Sequence, residues 1–189
     1  MTARGEDNFL ELRLRGRIPI ENAATLLIFK QGGITQKVVH QIKYNGDERL
    51  AVVMGRKLGT VLAESGDYDT VDMLVPVPLH RRKERKRGYN QSLRLCEGIQ
   101  QAFPRPVVSD NLIRSRHTDS QTHKNRQQRL ENMKDVFNLR DNEQFAGKHL
   151  LLVDDVITTG ATTEACCQAL LTAEGVKISI ASLAVTGET

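Results

Sequence analysis

Aromatic residues are scarce in this sequence. The 189 residues include no tryptophan, three tyrosines and five phenylalanines, so aromatic side chains make up 4% of the chain. Proteins that bind single-stranded nucleic acid without sequence preference stack successive bases on such rings. A stacking surface of that kind is therefore not expected, and any binding to nucleic acid would be mainly electrostatic and sensitive to salt.

Cysteine is also rare, and its placement argues against two kinds of small-domain architecture. The three cysteines are Cys96, Cys166 and Cys167, and no pair has the Cys-x-x-Cys spacing. An odd number without that spacing argues against a disulfide framework and against a zinc ribbon. Cys166 and Cys167 fall within a predicted helix, where we expect them to act as small packing residues.

Long apolar runs are missing as well. No stretch of the sequence approaches the length needed to span a membrane. The N-terminal residues Met-Thr-Ala-Arg-Gly-Glu-Asp lack the apolar region of a secretory signal. We therefore expect a cytoplasmic protein.

The residues that are present suit one compact α/β domain. Hydrophobic residues make up 39% and charged residues 26% of the chain, close to the values of globular proteins. Apolar spacing predicts helices over 47–63, 90–102 and 161–173, and strands near 106–108, 149–153 and 177–185. Their alternation favours a parallel sheet flanked by helices. A further segment, 10–15, alternates like a strand.

The most informative segment is Leu150 to Thr163, in which a buried-type strand ends in two acids and a hydroxyl-rich loop. Asp154 and Asp155 would lie at the carboxyl end of a parallel strand, where open α/β sheets bind their ligands. Thr158, Thr159, Gly160, Ala161 and Thr162 supply hydroxyls and backbone amides at a helix start, which favour phosphate. Two carboxylates beside such a loop suit the hydroxyls of a ribose 5-phosphate group.

Other interpretations of this segment are weaker. One alternative to a phosphate site is an ordinary strand, turn and helix with an acidic N-terminal cap and no ligand. The chain contains no Gly-x-x-x-x-Gly-Lys-Ser/Thr sequence, which argues against a P-loop, and it lacks the glycine pattern of a Rossmann dinucleotide site.

A second feature is the basic run from His80 to Arg87, which holds six Lys or Arg residues and one acid. It directly follows the apolar run 73–79, so a strand parallel to the Leu150 strand would deliver it to the same sheet edge. We expect a basic loop there that binds a polyanion. A solvated charge run is the alternative.

The Asp154 segment resembles the phosphoribosyl pyrophosphate (PRPP) motif of type I phosphoribosyltransferases. More of the chain is similar to the ComF/GntX family of competence-related phosphoribosyltransferase-like proteins. The similar blocks are Gln41-Ile-Lys-Tyr-Asn-Gly46, Pro76-Val-Pro-Leu-His80, Arg87-Gly-Tyr-Asn-Gln91, and the segment from Arg116 to Gln121 with Arg126, Arg129 and Asn132. Together with the Asp154 motif they span most of residues 35 to 165.

The resemblance implies a type I phosphoribosyltransferase fold with a small N-terminal hood, which selects the acceptor. We assign residues 1–66 to the hood and first helices and residues 67–189 to the core. Two features depart from relatives. Lys124 replaces an expected apolar residue. No cysteine precedes Cys96, so the cysteine-rich N-terminal zinc module of many relatives cannot be assigned to any part of this sequence.

The resemblance also implies roles for individual residues. Asp154, Asp155 and Arg116 would be catalytic, and residues 158–162 would bind the 5-phosphate. The pyrophosphate loop would comprise Pro78, Leu79, His80, Arg81, Lys83 and Arg87. Mg2+ would be carried by PRPP oxygens and not by a protein cage. His80, His123 and Tyr89 are possible proton acceptors.

The expected activity is transfer of a phosphoribosyl group to an acceptor, with release of pyrophosphate. Two alternatives stay open: a sensor that binds PRPP or a nucleotide without chemistry, and an accessory protein of the competence machinery that binds single-stranded DNA. DNA would be held by residues 80–87 and by the segment from Arg114 to Arg129.

Overall fold

A computed structural model describes residues 9–14, 16–114 and 136–187. The strands are β1 (Ala23–Phe29), β2 (Met73–Pro76), β3 (Leu112–Arg114), β4 (Phe137–Leu139), β5 (His149–Ile157) and β6 (Lys177–Thr186). The α-helices are α1 (Phe9–Leu14), α2 (Ile34–Tyr44), α3 (Glu48–Ser65), α4 (Arg81–Arg87), α5 (Gln91–Ala102) and α6 (Ala161–Leu170), and a short 3-10 turn spans Glu143–Phe145.

Four strands form a parallel sheet in the order β1-β6-β5-β2. The central strand β5 pairs Leu152 with Ile180 of β6 on one side and with Val75 of β2 on the other. Residues 150–153 are fully buried. Burial on both faces explains why this strand is a continuous apolar run, and it confirms the predicted parallel sheet flanked by helices.

The two faces of the sheet carry separate cores. One face packs against α2, α3 and α5 through residues such as Leu58, Leu62 and Ile99. The other packs against α1, α6 and the antiparallel pair β3–β4, where Leu10, Leu14 and Phe145 are buried. Because helices cover both faces, the ligand-accessible part of the sheet is its edge, where the strands end.

Helices α3 and α5 cross at backbone contact. A Cβ atom added at Gly55, Gly59 or Gly98 would lie less than 3.0 Å from backbone atoms of the opposite helix. Three glycines therefore allow the two backbones to touch. At the N-terminus of α5, Asn90 Nδ2 donates to the carbonyl of Val77 at 3.1 Å, which holds this end of the helix at the sheet edge where β2 and β5 end.

The predicted helices over 47–63 and 90–102 are confirmed as α3 and α5. Each begins at a side-chain cap, since Asp47 accepts from the amide of Leu50 and Asn90 from that of Ser92. The predicted strand near 106–108 is reduced to one bridge between Val107 and Leu74 of β2. Among the described residues, no helix is both long enough and apolar enough to cross a bilayer.

Two local predictions are wrong. The strand-like segment from Leu10 is the helix α1, in which Leu10 and Leu14 are four residues apart and fully buried together. The basic run is a helix and not a loop: the Nδ1 of His80 accepts from the amide of Arg82 at its start, and Gly88, with φ +86°, ends it.

Candidate functional site

The carboxyl edge of the sheet brings together the ends of β2 and β5. Pro76, the last residue of β2, pairs with Val153, which directly precedes Asp154. The amide of Val77 then donates to the carbonyl of Val153 at 2.9 Å. The turn that follows β2 therefore starts beside the two acids, as the parallel arrangement predicted.

Asp154 and Asp155 are tied into this edge by different partners. Asp154 Oδ1 accepts hydrogen bonds from Ser92 Oγ of α5 at 3.3 Å and from the amide of Asp155 at 2.8 Å. Asp155 Oδ1 accepts from the amide of Val156 at 2.6 Å and lies 3.0 Å from Lys43 Nζ of α2. The Lys43 and Asp155 side chains are 20% and 12% exposed, so water screens this ion pair only weakly.

The electrostatics of the acids favour a proton acceptor near neutral pH. Burial, and next the charge of Asp155, raise the pKa of Asp154 to about 7, while the amide of Asp155, Lys43 and Ser92 oppose that rise. Asp154 therefore holds a proton at a higher pH than an ordinary aspartate does. A ligand hydroxyl that donates to it would favour its ionised form.

The phosphate-type loop follows β5 and leads into α6. Thr158, Thr159 and Thr162 are exposed, and α6 begins at Ala161 after Gly160. The amide of Ala161 donates to Thr159 Oγ1 at 3.4 Å. The threonine hydroxyls and the other amides at the helix start are suited to an anion. The sequence placed this loop correctly with respect to the acids.

Gly160 also has a packing role in the structure. Its φ of +81° favours glycine. A Cβ atom there would lie 3.0 Å from Leu14 Cδ2 and 3.2 Å from Arg17 Nη1. The residue thus lets the N-terminal segment pack on the loop, a contact that the sequence did not indicate.

The predicted pyrophosphate residues lie in the turn after β2 and on helix α4. Pro78, Leu79 and His80 form the partly buried turn after β2, at the same edge as the acids. Arg81 and Lys83 are exposed on α4. Arg87 is engaged locally, because its Nη1 donates to Gln91 Oε1 at 2.8 Å and its guanidinium lies 5.6 Å from the centre of the Tyr44 ring.

Two of the possible proton acceptors, Tyr89 and His80, form hydrogen bonds within the protein. The hydroxyl of Tyr89 is buried and donates to the carbonyl of Ile42, and burial raises the pKa of Tyr89. The Nδ1 of His80 caps α4. Arg116, His123 and Lys124 lie outside the described residues.

The sequence analysis did not predict four side chains that lie at this site, namely Lys43, Ser92, Arg13 and Arg17. Lys43 falls in a block that carried the family resemblance, so its position was a usable signal. Ser92 follows another such block by one residue. Arg13 and Arg17, whose guanidinium groups reach the phosphate-type loop, gave no signal because they lie more than 140 residues from it in sequence.

The residues present suit a magnesium ion that is held mainly by its ligand. Among the described residues, no group of three or more His, Cys, Asp or Glu side chains is placed to hold a metal. Asp154 and Asp155 offer carboxylate oxygens, the donors that Mg2+ prefers, but one of them is paired with Lys43. One or two carboxylates plus substrate phosphates are a usual magnesium environment.

The chain is similar to several known proteins. Residues 90–189 match the family model described as the phosphoribosyl transferase domain. The chain is 34% identical over 137 residues to the DNA utilization protein YhgH of Salmonella typhimurium, covering 71% of this chain and 60% of that protein. It is 34% identical over 92 residues to competence protein F of Haemophilus influenzae, covering 48% and 40%.

Among solved structures, the adenine phosphoribosyltransferase of Leishmania tarentolae is similar at 12% identity. The TM-score is 0.46, with coverage of 87% of this chain and 92% of that one.

The family model covers more than half of this chain, including both acids and the loop that follows them. The matched proteins also confirm the predicted resemblance to competence-related proteins. The chain spans 60% of the length of the DNA utilization protein. It belongs to the phosphoribosyl transferase domain family.

Proposed function

We propose that this protein binds PRPP together with Mg2+ and transfers its phosphoribosyl group to a nucleophile, most simply a nitrogen, with release of pyrophosphate. The observation that carries the proposal is the pair Asp154 and Asp155, held between Lys43 and Ser92 and followed by an exposed hydroxyl-rich loop. Because that ligand is an intracellular metabolite, we propose the cytoplasm as the location.

The geometry supports one direction for the ligand along the sheet edge. The ribose hydroxyls would donate to Asp154 and Asp155, and the 5-phosphate would take the amides and hydroxyls of residues 158–162. The pyrophosphate would then extend toward the turn 77–80 and the start of α4. Arg81 and Lys83, both exposed, would neutralise it.

In the proposed reaction, the bond between the sugar carbon C1 and the pyrophosphate oxygen breaks, and its electron pair leaves with pyrophosphate. The lone pair of the nucleophile forms the new bond to C1, and the nucleophile loses its proton to solvent or a nearby base. Positive charge develops at C1, and two nearby carboxylates stabilise it electrostatically. Bound Mg2+ would supply charge neutralisation at the pyrophosphate.

Arg116 remains part of the proposal by family resemblance alone, since it lies outside the described residues. The family resemblance assigns the segment around it to a catalytic loop.

The direct test is calorimetry with PRPP and Mg2+. We expect binding by the wild type and none by the folded double variant Asp154→Asn/Asp155→Asn, because the ribose would lose both carboxylates. Asp69→Asn/Asp110→Asn, at two surface positions away from the acids, is the matched control and should bind normally. Unchanged PRPP affinity in the Asp154/Asp155 double variant would contradict the proposal that these carboxylates bind the ribose.

A second measurement separates an enzyme from a sensor. Release of pyrophosphate from PRPP, with the phosphoribosyl group recovered on one of a panel of bases and amines, identifies a transferase. Binding without pyrophosphate release under every acceptor would favour a sensor of PRPP or a nucleotide.

One observation favours binding of single-stranded DNA as a second function. Helix α4 carries Arg81, Arg82, Lys83, Arg85, Lys86 and Arg87, and none of its residues is buried. Two relatives are named as a DNA utilization protein and a competence protein. An exposed cationic helix is suited to phosphate contacts without base recognition.

A further inference from the structure

The N-terminal helix α1 is anchored against the phosphate-type loop. Leu10 and Leu14 are fully buried, and they pack in the same hydrophobic cluster as Ile157 at the end of β5. Leu14 also lies against Gly160. Apolar packing therefore holds the helix and the residues after it in a defined place beside residues 158–160.

Two arginines of this segment bind backbone carbonyls of the loop. Arg13 Nη1 donates to the carbonyl of Thr158, and its Nη2 donates to the carbonyl of Thr186 at 2.7 Å, which ties the loop to the end of β6. Arg17 Nη1 donates to the carbonyl of Thr159 at 2.6 Å. The carbonyl oxygens of two consecutive loop residues are thus occupied by cationic donors.

Arg17 also forms an ion pair with Glu164, whose negative charge is unfavourable for the binding of an anion nearby. Its Nη2 lies 2.6 Å from Oε2 of Glu164, which is in the first turn of α6. A carboxylate in a first helical turn is favourable by itself, but it repels a phosphate that binds to the same helix start. The Arg17 charge cancels that repulsion.

We propose that Arg17 is a positioning residue of the phosphate site, which compensates the charge of Glu164 and holds the Thr159 carbonyl so that the loop can accept a sugar phosphate. In this role it acts through the protein: Nη1 donates to the Thr159 carbonyl and Nη2 to Glu164. This inference rests on the proposed function, and it gives the N-terminal segment a role in the binding of phosphate in addition to any selection of the acceptor.

The experiment is a double-mutant cycle on the full chain, with ribose 5-phosphate as the titrated probe. Calorimetry at low ionic strength keeps charge effects measurable, since Arg17 is partly exposed. We expect Arg17→Met to weaken ribose 5-phosphate binding about tenfold, and Arg17→Met/Glu164→Gln to recover most of the loss. The matched control Arg49→Met removes an exposed arginine from α3 and should leave the affinity unchanged.

The variant Glu164→Gln gives a second arm that leaves the α1 packing untouched. Its affinity for ribose 5-phosphate should equal or exceed that of the wild type, because a negative charge near the phosphate is removed. A weaker affinity would overturn the inference, since the ion pair itself would then be required.

The remaining outcomes are distinct. Normal binding by Arg17→Met overturns the inference alone. A loss in Arg17→Met that Glu164→Gln does not recover also overturns it and indicates direct contact of Arg17 with phosphate. Failure of the wild type to bind ribose 5-phosphate and PRPP overturns the proposed function, and this inference with it.

Discussion

Asp154 is the residue at which stability and ligand binding conflict. Its pKa is raised to about 7, so the folded protein binds a proton there more tightly than the unfolded chain does. The stabilising contribution of that proton is fully present below the ordinary pKa of 3.8 and is lost as pH rises to about 7. Ionisation of Asp154 near neutral pH therefore lowers the free energy of unfolding.

We expect Asp154→Asn to be more stable than the wild type at pH 8, by about 1 to 4 kcal/mol. The asparagine oxygen can still accept from Ser92 and from the amide of Asp155, while the negative charge is replaced by a neutral NH2 group. At pH 5 the difference should be much smaller. Thermal melts of both proteins across this pH range measure it.

Asp69→Asn, at an exposed carboxylate, is the control and should show no such pH-dependent gain. If Asp154→Asn proves less stable than the wild type at pH 8, the raised pKa is not a cost to the fold.

Lys43 is the only cation paired with the two acids among the described residues. We expect Lys43→Gln to weaken PRPP binding about tenfold, because Asp155 then presents an uncompensated charge to an anionic ligand. It should also lower the melting temperature, since a buried carboxylate loses its partner. Titration of PRPP into each variant measures the first effect.

The matched control is Lys37→Gln, which removes an exposed lysine from the same helix. Equal affinities of the Lys43 and Lys37 variants for PRPP would show that Lys43 has a structural role only.

At the scale of elements, substitutions in helix α4 test whether this helix binds the pyrophosphate of PRPP or nucleic acid. Replacing Arg81, Lys83 and Arg87 with Gln should weaken PRPP binding more than ribose 5-phosphate binding, since only PRPP carries the pyrophosphate. If α4 instead binds nucleic acid, the same variant should lose DNA affinity and show a flatter dependence on salt. Calorimetry with both sugar phosphates and filter binding with single-stranded DNA measure these outcomes.

Neutralising Arg49, Arg56 and Lys57 on α3 removes the same charge from another exposed surface and is the control. Equal losses for PRPP and ribose 5-phosphate in the α4 variant would contradict a pyrophosphate role.

The crossing of α3 and α5 is a second element-scale feature. Alanine favours a helix over glycine by up to about 1 kcal/mol, yet a Cβ at Gly98 would meet the backbone of α3 at less than 3.0 Å. Overpacking typically costs about 1 to 3 kcal/mol. We therefore expect Gly98→Ala to destabilise the fold, as measured by urea unfolding.

Gly187→Ala is the comparison, because a Cβ there would lie at an ordinary 3.4 Å from Ile28. A stability gain in Gly98→Ala would show that helix propensity outweighs packing at this crossing.

In the whole molecule, the sheet and its helices gather one site from distant parts of the chain. β5 supplies the two acids, α2 supplies Lys43, and α5 supplies Ser92. The segment around α1 supplies Arg13 and Arg17, more than 140 residues before the loop they bind. Each contribution depends on the parallel sheet, which directs strand ends to a common edge.

The sequence alone determined the central part of this arrangement. A strand buried on both faces must be apolar along its length, so residues 150–153 were recognisable, and the acids and loop after them followed in order. The same local logic placed α3 and α5, because helical periodicity and side-chain caps act over a few residues.

Tertiary structure decided the rest, for a physical reason. The segment from Leu10 alternates like a strand, but Leu10 and Leu14 are buried together only because a core is available on that face of the sheet. The pairing of Lys43 with Asp155 and of Arg17 with Glu164 likewise depends on packing between elements, to which long flexible cationic side chains adapt. Local patterns specify the strand and loop that carry the acids, whereas the charges that surround them are set by contacts between residues far apart in the chain.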